Sequence, residues 1–314
     1  MPERQADIAS SDSSHAGLVP AIVELLRDAS IEINVQDVPR LEASRAFLSP
    51  GTKVYVSHLP KQTWQETGAA CRAVHDAGFV PVPHIPTRLL PDAATFDSIL
   101  ADFVGSAVQE VLLIAGDYPQ ALGPYPAVTD VLRSGLLAAH GLKRVSVAGH
   151  PEGHPVVSPA ELRQAEHAKD ELATQAGQEL TFLTQFFFEP APFLAWVQDL
   201  RAREIGARIV GGLAGPARAS TLFKFAVRCG VGPSIRALGT RPTALLKLVG
   251  EHGPDRVIRA LAQSRSTGET DFNGIHFFCF GGYLRTCEWL HQAARGDVRL
   301  NDHGGFDVGV GSTT

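Results

Sequence analysis

Seven residues punctuate the chain at similar intervals: Glu32, Ser57, His84, Asp117, His150, Gln185 and Gly212, separated by 25, 27, 33, 33, 35 and 27 residues. Each lies in, or just past, a short apolar run. If those runs are neighbouring parallel strands, two carboxylates, two imidazoles, a hydroxyl and an amide converge on one rim, where barrel enzymes place their chemistry. Glu32 stands between Ile31 and Ile33. A carboxylate inside an apolar strand is tolerated only when it is paired or faces a wet cavity, which favours a working role over a solvent-facing edge position. Gln185 sits among Phe182, Phe186, Phe187 and Phe188. A buried amide there needs hydrogen-bond partners, and a flat heterocyclic ligand supplies them. Asp117, in Ala115-Gly116-Asp117-Tyr118-Pro119, is also a turn former. His84 and Ser57 have simpler alternatives as a loop-fixing imidazole and a hydroxyl that satisfies a nearby backbone group. His150 and His154 are four apart, a spacing that invites a metal. Gly149, Pro151, Gly153 and Pro155 interrupt that segment, so no helix places both rings on one face and no metal site is expected.

These residues need a scaffold that brings strand ends together. The β-like runs are Ser30–Val35, Lys53–Ser57, Val80–Ile85, Glu110–Ala115, Arg144–Ala148, Leu180–Phe186, Ala207–Gly211 and Asn273–Phe280. Several are nearly unbroken apolar segments, as in strands buried on both faces of a parallel sheet. Between them, Leu90–Phe103, Ala127–Ala139, Pro159–Ala176 and Pro192–Ile205 carry apolar residues at helical spacing. Ser158 before Pro159 reads as an N-cap with proline at the first helical position. About eight strand–helix units, with no G-x-G-x-x-G after the first strand and no G-x-x-x-x-G-K-[ST], predict an α/β fold, a (β/α)8 TIM barrel rather than an open nucleotide-binding sheet. The long interval between strands 7 and 8 predicts extra helices near Thr243–Gly250 and Asp255–Ala262. The expected organisation is a single domain: a disordered N-terminus at 1–17, the barrel at 18–298 and a flexible tail at 299–314.

Composition narrows the function classes. In 314 residues, 28 Lys and Arg against 33 Asp and Glu give a net charge of −5, with no basic run. Nucleic acid is therefore not an expected partner. No apolar stretch reaches the roughly 20 residues that span a bilayer, so no membrane is expected either. The first 17 residues lack the basic-then-apolar pattern of a secretory signal. Cys71, Cys229, Cys279 and Cys287 form no C-x-x-C pair and read as reduced core thiols of a cytoplasmic protein.

Four segments then carry a family likeness: Pro81-Val82-Pro83-His84-Ile85, Gly116-Asp117-Tyr118-Pro119, Val147 through Pro155, and Thr184-Gln185-Phe186-Phe187-Phe188. In this order and spacing they resemble the signature segments of methylenetetrahydrofolate reductases, which are flavoprotein (β/α)8 barrels. The resemblance runs from about Ile31 to Ala294. It implies that Glu32 is the general acid and Asp117 the carboxylate near the pterin and the developing iminium charge. It further implies that Gln185 and Phe225 bind the folate, and that Ser57, His84, Gly116, Ala148, His150 and His154 line the cofactor site.

The expected activity is the interconversion of 5,10-methylene- and 5-methyltetrahydrofolate with NAD(P)H, with FAD as the family's bound cofactor. A tetrahydrofolate is the implied substrate, and a second copy of the chain is an admissible partner in a homo-oligomer. Three departures bear on the flavin. Ala115 replaces the family's arginine, His150 its tyrosine, and Ala173 a lysine near the flavin diphosphate. Arg88 and Lys169 are the candidate substitutes for those cations. Some members of this superfamily work without flavin. Rival readings on the same barrel are a folate-dependent methyltransferase and a non-catalytic folate-binding relative.

Overall fold

Eight parallel strands close on themselves in the computed structural model, which describes residues 17–116, 118–228 and 251–309. They are β1 (Ser30–Ile33), β2 (Lys53–Val56), β3 (Val80–Pro86), β4 (Glu110–Ile114), β5 (Arg144–Gly149), β6 (Glu179–Thr184), β7 (Arg208–Ala214) and β8 (Gly274–Phe278). Each pairs with its neighbours in chain order, and β8 closes the ring on β1 through Ser30 opposite His276. All eight predicted runs are strands, and the fold is the expected (β/α)8 barrel.

Alternation along each strand separates two cores. Ile31, Val54, Val111, Val145, Phe182, Ile209 and Phe277 point outward into the apolar layer under the helices. Tyr55, Val82, Leu112 and Leu183 form a separate cluster inside the barrel. Below that cluster the floor is polar. Buried Glu110 accepts from Lys53 Nζ at 2.6 Å, Ser146 Oγ at 2.8 Å and Tyr55 Oη at 3.4 Å. Four acceptor sites on one carboxylate satisfy all three donors, which is what makes its burial tolerable.

The helices follow from local signals. α1 is Leu18–Leu26, α2 is Trp64–Asp76 and α3 is Ala93–Gly105. The continuous helix expected over Ala127–Ala139 is split into α4 (Val128–Arg133) and α5 (Leu136–Ala139), because Gly135 adopts φ +71°, a left-handed turn that no regular helix contains. α6 (Pro159–Gln175) begins at the expected cap: Glu161 N donates to Ser158 Oγ at 3.3 Å, and Ser158 N donates to the Glu161 carboxylate at 2.9 Å. α7 (Pro190–Ala202) and α8 (Ala219–Arg228) follow. Between β7 and β8, the expected helix at Asp255–Ala262 is α9 (Asp255–Ser266), whereas Thr243–Gly250 lies outside the described residues. α10 (Tyr283–Ala294) completes the ring.

The segment expected to be a flexible tail carries a hairpin instead. β9 (Val298–Leu300) pairs antiparallel with β10 (Phe306–Val308). Buried Phe306 stacks on Trp289 at 5.8 Å, and Arg259 Nη1 donates to the carbonyls of Asn301 and Gly305 at 3.0 and 2.9 Å. The hairpin is held by contacts with α9 and α10, partners that its own composition does not reveal. Cys71, Cys279 and Cys287 are free and buried; Cys229 lies outside the described residues.

Candidate active site

At the C-terminal ends of the strands the barrel opens into a cavity of about 560 Å³. Eight of the residues singled out from sequence line it: Glu32, Ser57, His84, Gly116, Ala148, His150, Gln185 and Phe225. They come from β1 through β6 and from α8, so only closure of the sheet brings them together. Asp117 lies outside the described residues. His154 is not in this wall. It lines a neighbouring pocket between α6 and α7 and meets His150 edge-on, with ring centroids 5.1 Å apart. As the glycines and prolines require, residues 150–158 form turns, and α6 starts only at Pro159.

Glu32 is the chemically distinctive group. Its side chain keeps about a fifth of its surface, 21 %, open to the cavity. Burial pushes its pKa from 4.5 up to about 7; the Ser57 hydroxyl pulls it back down, and the nearby charge of Asp37 raises it again. His84 Nε2 lies 3.3 Å from Glu32 Oε2, and neither atom has a well-aligned hydrogen-bond partner. Burial, followed by repulsion from His58, holds the His84 pKa down at about 3. The contact is therefore between a neutral imidazole and a carboxyl that is partly protonated at neutral pH, not an ion pair. Beneath them, Ser30 Oγ and His276 Nδ1 are 2.9 Å apart, and burial keeps His276 neutral as well.

The opposite wall is aromatic. Phe225 stacks on Phe280 at 4.3 Å and 28°, and Phe186 meets Phe278 and Phe280 edge-on at 6.0 and 5.0 Å. Gln185 Oε1 accepts from Phe186 N at 3.1 Å, which turns the amide so that its NH2 group is left as the donor for a ligand. A planar, hydrogen-bonding ring system fits between such surfaces. A protonated carboxyl beside that slot can deliver a proton to it. Sequence reasoning missed His58, Asp37, Phe278 and Phe280, which also line the cavity. Phe278 and Phe280 continue the alternation His276, Phe278, Phe280 inside a predicted strand, so that signal was present. Asp37 sits in a short 3₁₀ helix, Val35–Arg40, and His58 on the loop after β2, and neither carries such a periodicity.

Among the described residues, no Lys or Arg lines this cavity. Arg88 donates to the carbonyls of Tyr118 and Pro126 at 2.8 and 3.0 Å. Half-buried Lys169 turns toward the carbonyl of Ala148 at 3.4 Å, and burial draws its pKa down to about 8. Ala173 is 1 % exposed in the apolar layer beneath α6, away from the mouth. Arg163, in the neighbouring pocket, is paired with Asp199 at 2.9 Å. A flavin dinucleotide's diphosphate thus meets no cation among the described lining residues, and these residues do not fit it as a tightly held group. No group of three or more His, Cys, Asp or Glu among the described residues converges to hold a metal ion. No helix of the described residues is long and apolar enough to cross a membrane.

The fold and the site are those of a closed (β/α)8 barrel with an acid of raised pKa and an aromatic wall at one rim. The family model for methylenetetrahydrofolate reductase matches residues 60–232, more than half of the chain. The chain belongs to that family. It is similar to a 5,10-methylenetetrahydrofolate reductase of Pectobacterium carotovorum subsp. carotovorum, at 29% identity over 157 residues. That match spans 49% of this chain and 50% of the relative, so the likeness reaches about half of the relative's length. Among solved structures, it is similar to dihydropteroate synthase from Thermus thermophilus (13% identity, 83% of this chain, 91% of that one, TM-score 0.46). Another is a phosphonopyruvate hydrolase in complex with oxalate and Mg++ (12% identity, 85% and 82%, TM-score 0.44).

Proposed function

We propose that this chain is an oxidoreductase that interconverts 5,10-methylenetetrahydrofolate and 5-methyltetrahydrofolate, with NAD(P)H passing hydride directly to the folate rather than through a resident flavin. The observation that carries the reading is Glu32, a carboxyl held partly protonated at neutral pH in the mouth of the barrel. In the reducing direction, the bond from the methylene carbon to one ring nitrogen breaks and that nitrogen takes the Glu32 proton. The other nitrogen and the methylene carbon are left as an iminium. The nicotinamide co-substrate supplies two electrons as hydride, so methylene-folate, NAD(P)H and one proton become methyl-folate and NAD(P)⁺. Gln185 offers its NH2 to the pterin, Phe225 packs on the ring, and the family motif assigns stabilisation of the iminium charge to Asp117.

The absence of cationic lining in the described wall supports direct transfer. A resident dinucleotide must be held tightly across many turnovers, and each charged hydrogen bond to its diphosphate contributes about 1.5–3 kcal/mol. A co-substrate that leaves at every turnover tolerates losing them. The test is a visible absorption spectrum of the purified chain, followed by initial rates with methylene-folate and NAD(P)H. A colourless protein with intersecting double-reciprocal lines is expected. A retained flavin band with parallel lines refutes direct transfer; folate binding without any NAD(P)H oxidation refutes the reductase reading itself.

A further inference from the structure

We propose that His58 is the nicotinamide-selecting residue of this site, its Nε2 accepting a hydrogen bond from the carboxamide NH2 of the reduced dinucleotide. The proposal rests on the direct-transfer reading above and assigns a wall of the cavity that the reading leaves without a ligand.

A chain of hydrogen bonds accommodates the tautomer in which Nδ1 carries the proton. The Leu59 backbone N–H donates to Gln62 Oε1 at 3.3 Å, and because a backbone N–H can only donate, this sets the orientation of the Gln62 amide. Gln62 Nε2 therefore donates to Thr67 Oγ1, at 2.7 Å. The Thr67 hydroxyl has a single proton and two neighbours able to accept it, the Thr63 carbonyl at 3.3 Å and His58 Nδ1 at 2.8 Å. When that proton goes to the carbonyl, His58 Nδ1 is the donor across the 2.8 Å to the same Thr67 oxygen. In a neutral imidazole the other nitrogen is then a bare acceptor. The ring is neutral: burial draws its pKa down to about 4, against an opposing pull from Glu66.

Geometry directs that acceptor to the cavity. The His58 ring stacks on Trp64 at 4.0 Å and 20°, which fixes its plane. His58 lines the cavity, and Nε2 has no hydrogen-bond partner among the described residues. It follows β2, whereas Gln185 follows β6, four strands away in a ring of eight and so on the opposite side. The two walls have opposite polarity, a donating amide beside the phenylalanines and an accepting imidazole across from it. Hydride transfer needs two rings face to face. With the pterin against Gln185 and Phe225, the second ring lies toward His58, and the carboxamide NH2 is the donor that a reduced nicotinamide brings.

The test titrates the folate-free protein with NADH and, separately, with its reduced 3-acetylpyridine analogue, which keeps the carbonyl and replaces the NH2 by a methyl group. Dinucleotide fluorescence is the readout. Wild-type protein should bind NADH about tenfold more tightly than the analogue, the loss expected for one neutral hydrogen bond with its acceptor left unpaired. His58→Phe keeps the stack on Trp64 and removes the acceptor; it should bind both dinucleotides equally while retaining 5-methyltetrahydrofolate binding. Equal affinities in the wild-type protein overturn the proposal without any variant, as does discrimination that survives in His58→Phe. If the wild-type protein oxidises NADH with methylene-folate yet fails to discriminate, only the assignment of His58 falls. If it neither binds nor oxidises NADH or NADPH, the direct-transfer reading falls with it.

Discussion

Replacing Glu32 by glutamine separates the proton from the shape of the site. The side chain keeps its length and its contact with Ser57 but can no longer ionise. In the folded chain the carboxyl is displaced from 4.5 to about 7, which at 1.36 kcal/mol per pKa unit corresponds to about 3 kcal/mol. The fifth of its surface open to the cavity makes this an upper value. A carboxyl whose folded pKa is raised binds more protons folded than unfolded, so stability is complete below pH 4.5 and is lost as pH rises to about 7. The amide of Glu32→Gln titrates nowhere. Relative to wild type, the variant should therefore gain up to about 3 kcal/mol between pH 4.5 and pH 8, read as urea midpoints at the two pH values. The same carboxyl must be protonated to donate, so kcat/KM of the wild type in the reducing direction should fall above about pH 7. The variant should lose turnover while still binding methyl-folate. A stability difference that is the same at both pH values, or a variant that turns over normally, refutes the reasoning.

Two further substitutions probe the scaffold. A Cβ at Gly212 would sit 2.3 Å from the backbone oxygen of Thr184 and 2.7 Å from the Phe278 ring, so Gly212→Ala should force β6 and β7 apart and lower stability by about 1–3 kcal/mol. An unchanged thermal midpoint refutes that close approach. Glu110→Ala removes the acceptor of Lys53, Tyr55 and Ser146 in the barrel floor and should cost about 3 kcal/mol in urea unfolding, the low end for a broken buried pair because Lys53 is partly exposed. A loss below about 1 kcal/mol would mean that the carboxylate is dispensable there.

The strands were legible because each is a local pattern. Runs such as Val111-Leu112-Leu113-Ile114 declare a doubly buried strand without reference to the rest of the chain, and the cap at Ser158 needs only Pro159 and Glu161 beside it. That Glu32, His84 and Gln185 reach one rim was legible for the same reason, since they fall whole strand–helix units apart, whereas their likeness to a known family rested on the motif segments around them. Where expectation and structure part, a distant partner intervenes. The tail at 299–314 reads as flexible from its glycines, yet α9 and α10 hold its described part as a hairpin. The helix over Ala127–Ala139 reads as continuous by periodicity, yet Gly135 turns left-handed and divides it. Arg88 reads as a spare cation, yet its guanidinium spans the carbonyls of Tyr118 and Pro126, a loop some thirty residues downstream.

The amino-acid sequence by itself determined the eight-stranded α/β architecture and the order in which polar side chains reach one rim, because strand and helix periodicities are set within a few residues. Tertiary structure alone decided what those side chains are. The acidity of Glu32 depends on burial by neighbouring strands and on the charge of Asp37, and the hydrogen bonding of His58 depends on Thr67, nine residues on and itself held by Gln62. Desolvation and hydrogen-bond direction are properties of the enclosure, and no enclosure exists until the ring of strands has closed.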